Sequence, residues 1–170
     1  KRVVSALRER GIEPVVTLWH WTLPLWVAQQ GGWSNKKTIN NFTKYAEKIV
    51  HAFGSDVKFW ITLNEPNIYT SIGGIKGLQP PGKLSVAKIF SCYKNLARAH
   101  KNTYNIIHQI NPLAQAGFSN SVIYYPSKML FLYDYIWNKL FISLTKGSHD
   151  FMGLNYYTKG GVKLDTKTGG

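Results

Sequence analysis

The chain has 170 residues, the length of one ordinary domain, and 44% of them are hydrophobic, enough for a sizeable core. Its formal net charge is +13, with only eight acids against 21 lysines and arginines. The basic residues are scattered through expected helices and turns, with no dense block and no nucleic-acid motif, so the charge describes a solvated surface and excludes a nucleic-acid partner.

No run approaches the roughly 18 apolar residues a membrane span needs, and the opening KRVVSALRERG has no apolar signal core, so no membrane partner is expected. A single cysteine, Cys92, excludes an internal disulfide and fits a reducing, cytoplasmic compartment.

Lys1 to Arg10 carries helical spacing at Val3, Val4 and Leu7, with Gly11 as its stop. The run Pro14 to Trp21, PVVTLWHW, is β-branched and aromatic and of strand length. A turn at Gly31 and Gly32 follows. Asn35 can then cap a helix whose apolar positions, Ile39, Phe42, Ala46, Ile49, Val50 and Phe53, keep a 3.6 period up to Gly54. Val57 to Leu63 is the second strand. A loop rich in Gly and Pro, GGIKGLQPPGK, leads to Ser85, a good N-cap for a long helix that Pro112 stops. Ala114 to Asn120 reads as a third strand, Tyr133 to Leu144 as a packed helix, and Phe151 to Tyr157 as a fourth strand. The apolar stretch Met129 to Leu144 is interrupted by Asp134, Asn138 and Lys139. With no repeat and no linker, residues 1–170 form a single domain.

Strands separated by helices imply a parallel sheet with right-handed crossovers. A doubly wound sheet and a (β/α)8 barrel both satisfy that order. The glycine fingerprints of nucleotide folds, GxGxxG and GxxxxGK[ST], are absent. Every strand ends in polar or aromatic groups: His20 and Trp21, Asn64 and Glu65, Asn120, then Asn155 to Tyr157. In a barrel those ends converge on the face that carries the active site. The fold class is therefore α/β, a partial (β/α)8 TIM barrel with four parallel strands alternating with helices.

The acids can then be placed. Glu13, Asp56 and Asp150 precede strands and belong to the opposite face; Glu9, Glu47 and Asp134 sit in helices; Asp165 is in the tail. Glu65 alone occupies a strand's C-terminal end. It can be read as a helix cap or a lysine's partner, but its neighbours suggest more. Trp21 and Tyr157 offer flat apolar faces that pack on sugar rings, and His20, Asn64 and Asn155 offer directed hydrogen bonds. Partial burial among them would favour the protonated acid, ready to donate a proton near neutrality. A regular pleat points Asn64 and Glu65 to opposite faces. Both reach one ligand only if the strand twists or bulges there, and Pro66 is expected to hold Glu65 extended.

VVTLWHWTLP, GGWSN, FWITLNEP and DFMGLNYYT, in that order, resemble successive signatures of glycoside hydrolase family 1, the β-glucosidase and β-galactosidase family. GIEP and the pattern from Ala99 to Tyr104 fit as well. The resemblance implies a retaining β-glycosidase in which Glu65 is the acid/base and Asn64 holds the sugar 2-OH. It implies that His20 and Trp21 bind hydroxyls of the same sugar, that Asn155 sits beside the acid/base, and that Tyr157 hydrogen-bonds the nucleophile. It implies a small-molecule β-glycoside or oligosaccharide as partner and no cofactor; no Cys and His cluster has metal-ligand spacing either. Thr22 stands where many members carry Asp, and Asn67 where many carry Trp, on the leaving-group side of the pocket.

By the same resemblance the chain covers strands three to six of a barrel that needs about 250 residues. The nucleophile, a glutamate of a TENG-type motif on strand seven, lies outside it. The chain alone is then expected to be inactive and to self-associate or bind its missing barrel half. The alternative is a non-catalytic, lectin-like derivative that keeps the pocket without hydrolysis. Other polar and aromatic residues read as structural: Trp33 and Trp60 as packing, Tyr156 as facing the helices, His100 and His108 as helix residues. Asn120 is a further candidate for the site.

Overall fold

A computed structural model describes residues 1–125 and 130–159. Its four strands are β1 (Val15–Thr17), β2 (Phe59–Asn64), β3 (Gln115–Tyr124) and β4 (Phe151–Lys159). They form one sheet in the order β1-β2-β3-β4, and every neighbouring pair is parallel. Helices α1 (Arg2–Glu9), α2 (Leu25–Gln29), α3 (Lys37–Phe53), α4 (Pro66–Ile68), α5 (Val86–Ile110), α6 (Phe131–Asp134) and α7 (Leu140–Leu144) lie between and before them. Strand order, direction and alternation with helices are those of a partial (β/α)8 barrel.

Each long element has a local cause. Ser85 caps α5 by accepting the Lys88 N–H at 3.4 Å. Asn35 accepts the Lys37 N–H at 3.0 Å and donates to the Gln30 carbonyl at 2.8 Å, which fixes the entry to α3. β1 is shorter than Pro14 to Trp21, yet its pairing runs on: Leu18 N–H donates to Ile61 O at 2.8 Å and Asn64 N–H to Trp19 O at 2.9 Å.

The turn at Gly31 and Gly32 forms as expected, with positive φ at both, between α2 and a 3-10 turn at Gly32–Ser34. Two expectations need correction. The loop after Glu65 begins as helix: Pro66 opens α4, which continues as a π-helical turn over Tyr69–Ile75. The segment Phe131–Leu144 is helical, with a π-helical turn at Tyr135–Lys139, but it is not a packed helix. Phe141 is buried, whereas Phe131, Leu132, Tyr133 and Ile136 are exposed, because no described element covers that side. Met129 and Asp165 lie outside the described residues.

The core sits between the sheet's outer face and α3, α5 and α7, where Trp60, Leu63, Leu96, Phe118 and Phe141 are fully buried. At its centre is His100, also fully buried. Its Nε2 lies 2.6 Å from the Ser148 carbonyl, which can only accept, so Nε2 carries the proton. Nδ1 then accepts the Thr62 hydroxyl at 2.6 Å. Burial, with the nearby His149 and Lys101 charges, overrides the Ser148 carbonyl and pushes this imidazole down to about 4. The sheet's inner face is different. Phe59 and Ile61 are only half-buried, and Phe59 meets Phe151 with ring centroids 6.2 Å apart. Gly117, on the strand between them, leaves the room for that contact.

Candidate active site

The two ladders of β2 and β3 explain how the polar rim forms. Ile61 pairs with Gly117, but Asn64 pairs with Ser119, so β2 carries one residue more than β3 between those rungs. That bulge reverses the facing of the residues beyond it. Trp60 and Thr62 face the helices; Asn64, of the same parity, turns inward to meet Ser119. A second bulge lies in β4, where Val122 pairs with Tyr156 and Ile123 with Thr158. Tyr157 is the extra residue there and sits on the same rim as Asn155, while Leu154 and Tyr156 are exposed on the outer face.

Glu65 is not extended, as Pro66 suggested, but left-handed, at φ 45° and ψ 61°. Pro66 disfavours the helical α region at Glu65. The left-handed turn starts α4 and keeps the side chain on the rim, 3% exposed. Its N–H stays bonded to Ser119 O at 2.8 Å. Among the described residues one other non-glycine residue has positive φ, Trp21, at 70°. There Thr22 N–H donates to His20 O at 2.9 Å, a γ-turn that swings the indole inward. Trp21 Nε1 then donates to the Asn64 carbonyl at 3.0 Å. Both strained residues belong to the predicted site.

The side chains join into one chain of hydrogen bonds. Asn155 Nδ2 donates to Glu65 Oε1 at 2.8 Å and to Asn64 Oδ1 at 3.3 Å. Ser119 Oγ donates to the same Oδ1 at 2.6 Å. With its oxygen so engaged, Asn64 turns its Nδ2 to His20 Nε2, 3.2 Å away. His20 therefore accepts through Nε2 and carries its proton on Nδ1. The Tyr157 hydroxyl also hydrogen-bonds Glu65; the carboxylate charge beside it holds the exposed phenol above its usual range. His20, Trp21, Asn64, Glu65, Asn155 and Tyr157, drawn from three strand ends, thus meet on one rim.

Other candidates fall elsewhere. Asn120 is fully buried and turned to the helices, donating to Trp137 O at 3.3 Å. Asn67 is buried as well. Its Nδ2 donates to Ser121 O at 2.7 Å and to Trp137 O at 3.2 Å, and it accepts from Ser121 N–H, so it clamps α4 to β3. Trp33 and Trp60 are fully buried packing residues. His108 joins Asp150 at 2.9 Å, before β4 and away from the rim. Ser119 is the rim residue that sequence reasoning missed; its neighbour Asn120 drew the attention because β2's bulge is not visible in composition. Among the described residues no group of His, Cys, Asp and Glu could hold a metal ion.

The family model described as glycosyl hydrolase family 1 matches residues 1–131. The chain is 36% identical over 108 residues to beta-glucosidase A of Thermotoga maritima, covering 64% of this chain and 24% of that protein. It is 34% identical over 128 residues to beta-glucosidase A of Acetivibrio thermocellus, covering 75% and 29% respectively. Among solved structures, the family 1 β-glucosidase of T. maritima superposes with a TM-score of 0.84 at 27% identity, over 93% of this chain and 44% of that one. The same enzyme in complex with deoxynojirimycin gives a TM-score of 0.79 at 27% identity, with the same coverage. The chain thus spans less than half the length of these relatives. Its fold superposes on theirs nonetheless, and the family model covers most of its sequence: the chain belongs to glycosyl hydrolase family 1.

Proposed function

We propose that this chain carries the acid/base side of a retaining β-glycosidase, which hydrolyses the O-glycosidic bonds of β-glucosides or β-galactosides. The observation that carries the reading is Glu65, a buried carboxylate at a strand end, hydrogen-bonded to the Asn155 amide and the Tyr157 phenol and facing the open inner rim. Such a group can protonate a leaving glycosidic oxygen and later take a proton from the attacking water. Asn64, whose Nδ2 spends one hydrogen on His20, keeps the other for the sugar 2-OH. His20, through its remaining ring nitrogen, and the Trp21 ring face bind the rest of the same sugar. Asn155 orients Glu65. A retaining mechanism sets its two carboxylates about 5 Å apart, so a phenol bonded to one is within reach of the other. Tyr157 accordingly holds the nucleophile when the strand that bears it is in place. The reading is supported by the T. maritima β-glucosidase complexes with galacto-hydroximolactam and deoxynojirimycin, compounds shaped like the sugars proposed here.

Replacing Glu65 by Gln in the barrel-complete protein keeps the shape and removes the proton. Hydrolysis of glycosides with poor leaving groups should fall by roughly two to four orders of magnitude. Formation of the glycosyl-enzyme from activated aryl glycosides should survive, because those leaving groups need little protonation. Equal losses on both substrates would remove Glu65 from the acid/base role. Sugar binding without turnover in the unmodified protein would instead favour a lectin-like derivative.

A further inference from the structure

Ser119 occupies a position that links the two residues at the centre of the site. Its backbone carbonyl accepts the Glu65 N–H at 2.8 Å, and its hydroxyl donates to Asn64 Oδ1 at 2.6 Å. It is 3% exposed, and Asn64 7%. The next rung of the sheet is shaped around it: Ser119 pairs with Gly153, and a Cβ at Gly153 would lie 2.9 Å from Ser119 Cβ. A glycine at 153 thus leaves the room that the Ser119 side chain occupies. A primary amide has two ends of nearly equal size, and only its hydrogen-bond partners decide which end points where. Of the two groups that hold Asn64 Oδ1, the Ser119 hydroxyl is at 2.6 Å, an O–H···O spacing shorter than an amide N–H would keep to that oxygen, and Asn155 Nδ2, which can only donate, is at 3.3 Å. Asn155 is shared with Glu65, its closer partner at 2.8 Å.

We propose that Ser119 is a positioning residue: its hydroxyl fixes the Asn64 amide with Nδ2 toward His20, and so sets both the His20 tautomer and the N–H that Asn64 keeps for substrate. What those oriented groups do to a glycoside rests on the function proposed above; the orientation itself does not. Without the hydroxyl, the longer bond to Asn155 is all that opposes rotation of the amide. The flipped amide would present Oδ1 to His20 and demand a proton on Nε2 instead of Nδ1.

The test is a nitrogen-15 correlation spectrum of the imidazoles in the 170-residue chain, in alkaline buffer where neutral rings reveal their tautomers. The chain has five histidines, and buried His100 serves as the internal reporter of the fold. In the unmodified chain His20 should show a protonated Nδ1 and a bare Nε2. In Ser119→Ala the two His20 nitrogens should move toward a common, tautomer-averaged position while His100 stays put. An unchanged His20 in that variant would overturn the proposal and leave Ser119 a packing residue. Should Ser119→Ala disturb His100 and so lose the fold, Ser119→Cys replaces it, keeping the volume with a weaker donor. A partial shift of His20 then supports the proposal, and a spectrum like the unmodified chain's overturns it. If Glu65→Gln loses both substrates equally while His20 still responds to Ser119, the glycosidase reading falls and the positioning role stands.

Discussion

Glu65 and Trp21 hold backbone conformations that cost a non-glycine residue about 1–3 kcal/mol each, and both lie on the rim. The surrounding hydrogen bonds hold them there: Ser119 O and Asn155 on Glu65, the Asn64 carbonyl on Trp21. Away from the rim, His100 and Asp150 tie stability to pH. Burial pushes His100 from 6.5 down to about 4. At Asp150 burial pushes the carboxyl up, but bonds from Ala116 N–H, Tyr104 and His108 outweigh it and hold the group below its usual range. Both depressed groups bind protons more readily when the chain unfolds. Their contributions are therefore present above the unfolded-state values and lost as pH falls through the folded ones. Between pH 6.5 and about 4, His100 should cost stability at up to about 1.4 kcal/mol per pH unit. Urea midpoints measured across that range should fall steeply for the unmodified chain. In His100→Gln the neutral-pH midpoint should be lower and the slope flatter.

Elements are set by ladders whose geometry is stricter than composition suggests. A Cβ at Gly117 would run into the Phe151 carbonyl oxygen on β4. Gly117→Ala should therefore destabilise by about 1–3 kcal/mol, read as a lower denaturation midpoint, with the Asn155–Glu65 contact weakened as β4 is pushed outward. The strands themselves were legible, because runs such as PVVTLWHW and FWITL are β-branched and aromatic, and the polar residues at their ends pointed to a common rim. What could not be read was the pleat's phase. The bulges at Leu63 and Tyr157 add one residue each, and nothing in those side chains signals it. Sequence reasoning required a bulge to bring Asn64 and Glu65 together, but could not foresee that it would set Asn64 opposite Ser119 instead of Asn120. Helices α2 and α4, of five and three residues, are too short to show periodicity. Pro66, expected to hold Glu65 extended, is the first residue of a helix.

At the scale of the whole molecule, β1 and β4 each pair on one side only among the described residues, and Val15, Leu154 and Tyr156 are exposed at those edges. Unpaired edges with apolar side chains invite further strands. The chain by itself is expected to self-associate in sedimentation, and mixing with the remaining half of a family barrel should suppress that. It is also expected to leave an aryl β-glucoside intact, since no other described acid ends a strand. Turnover that disappears in Glu65→Ala would refute this and place the second carboxylate within the chain. The strand order has a further effect, on time. Each strand pairs only with its neighbours in sequence, so no pairing waits for a distant segment. Folding can then advance along the sheet one strand-and-helix unit at a time, and of the three connections the one between β3 and β4 is the shortest to close. The carboxylate of Glu65 belongs to the second unit and Asn155 to the fourth. A pulse-labelled refolding experiment should therefore find the β3 and β4 amides protected first, and the rim, which needs β1 and β2 as well, still unassembled at that moment.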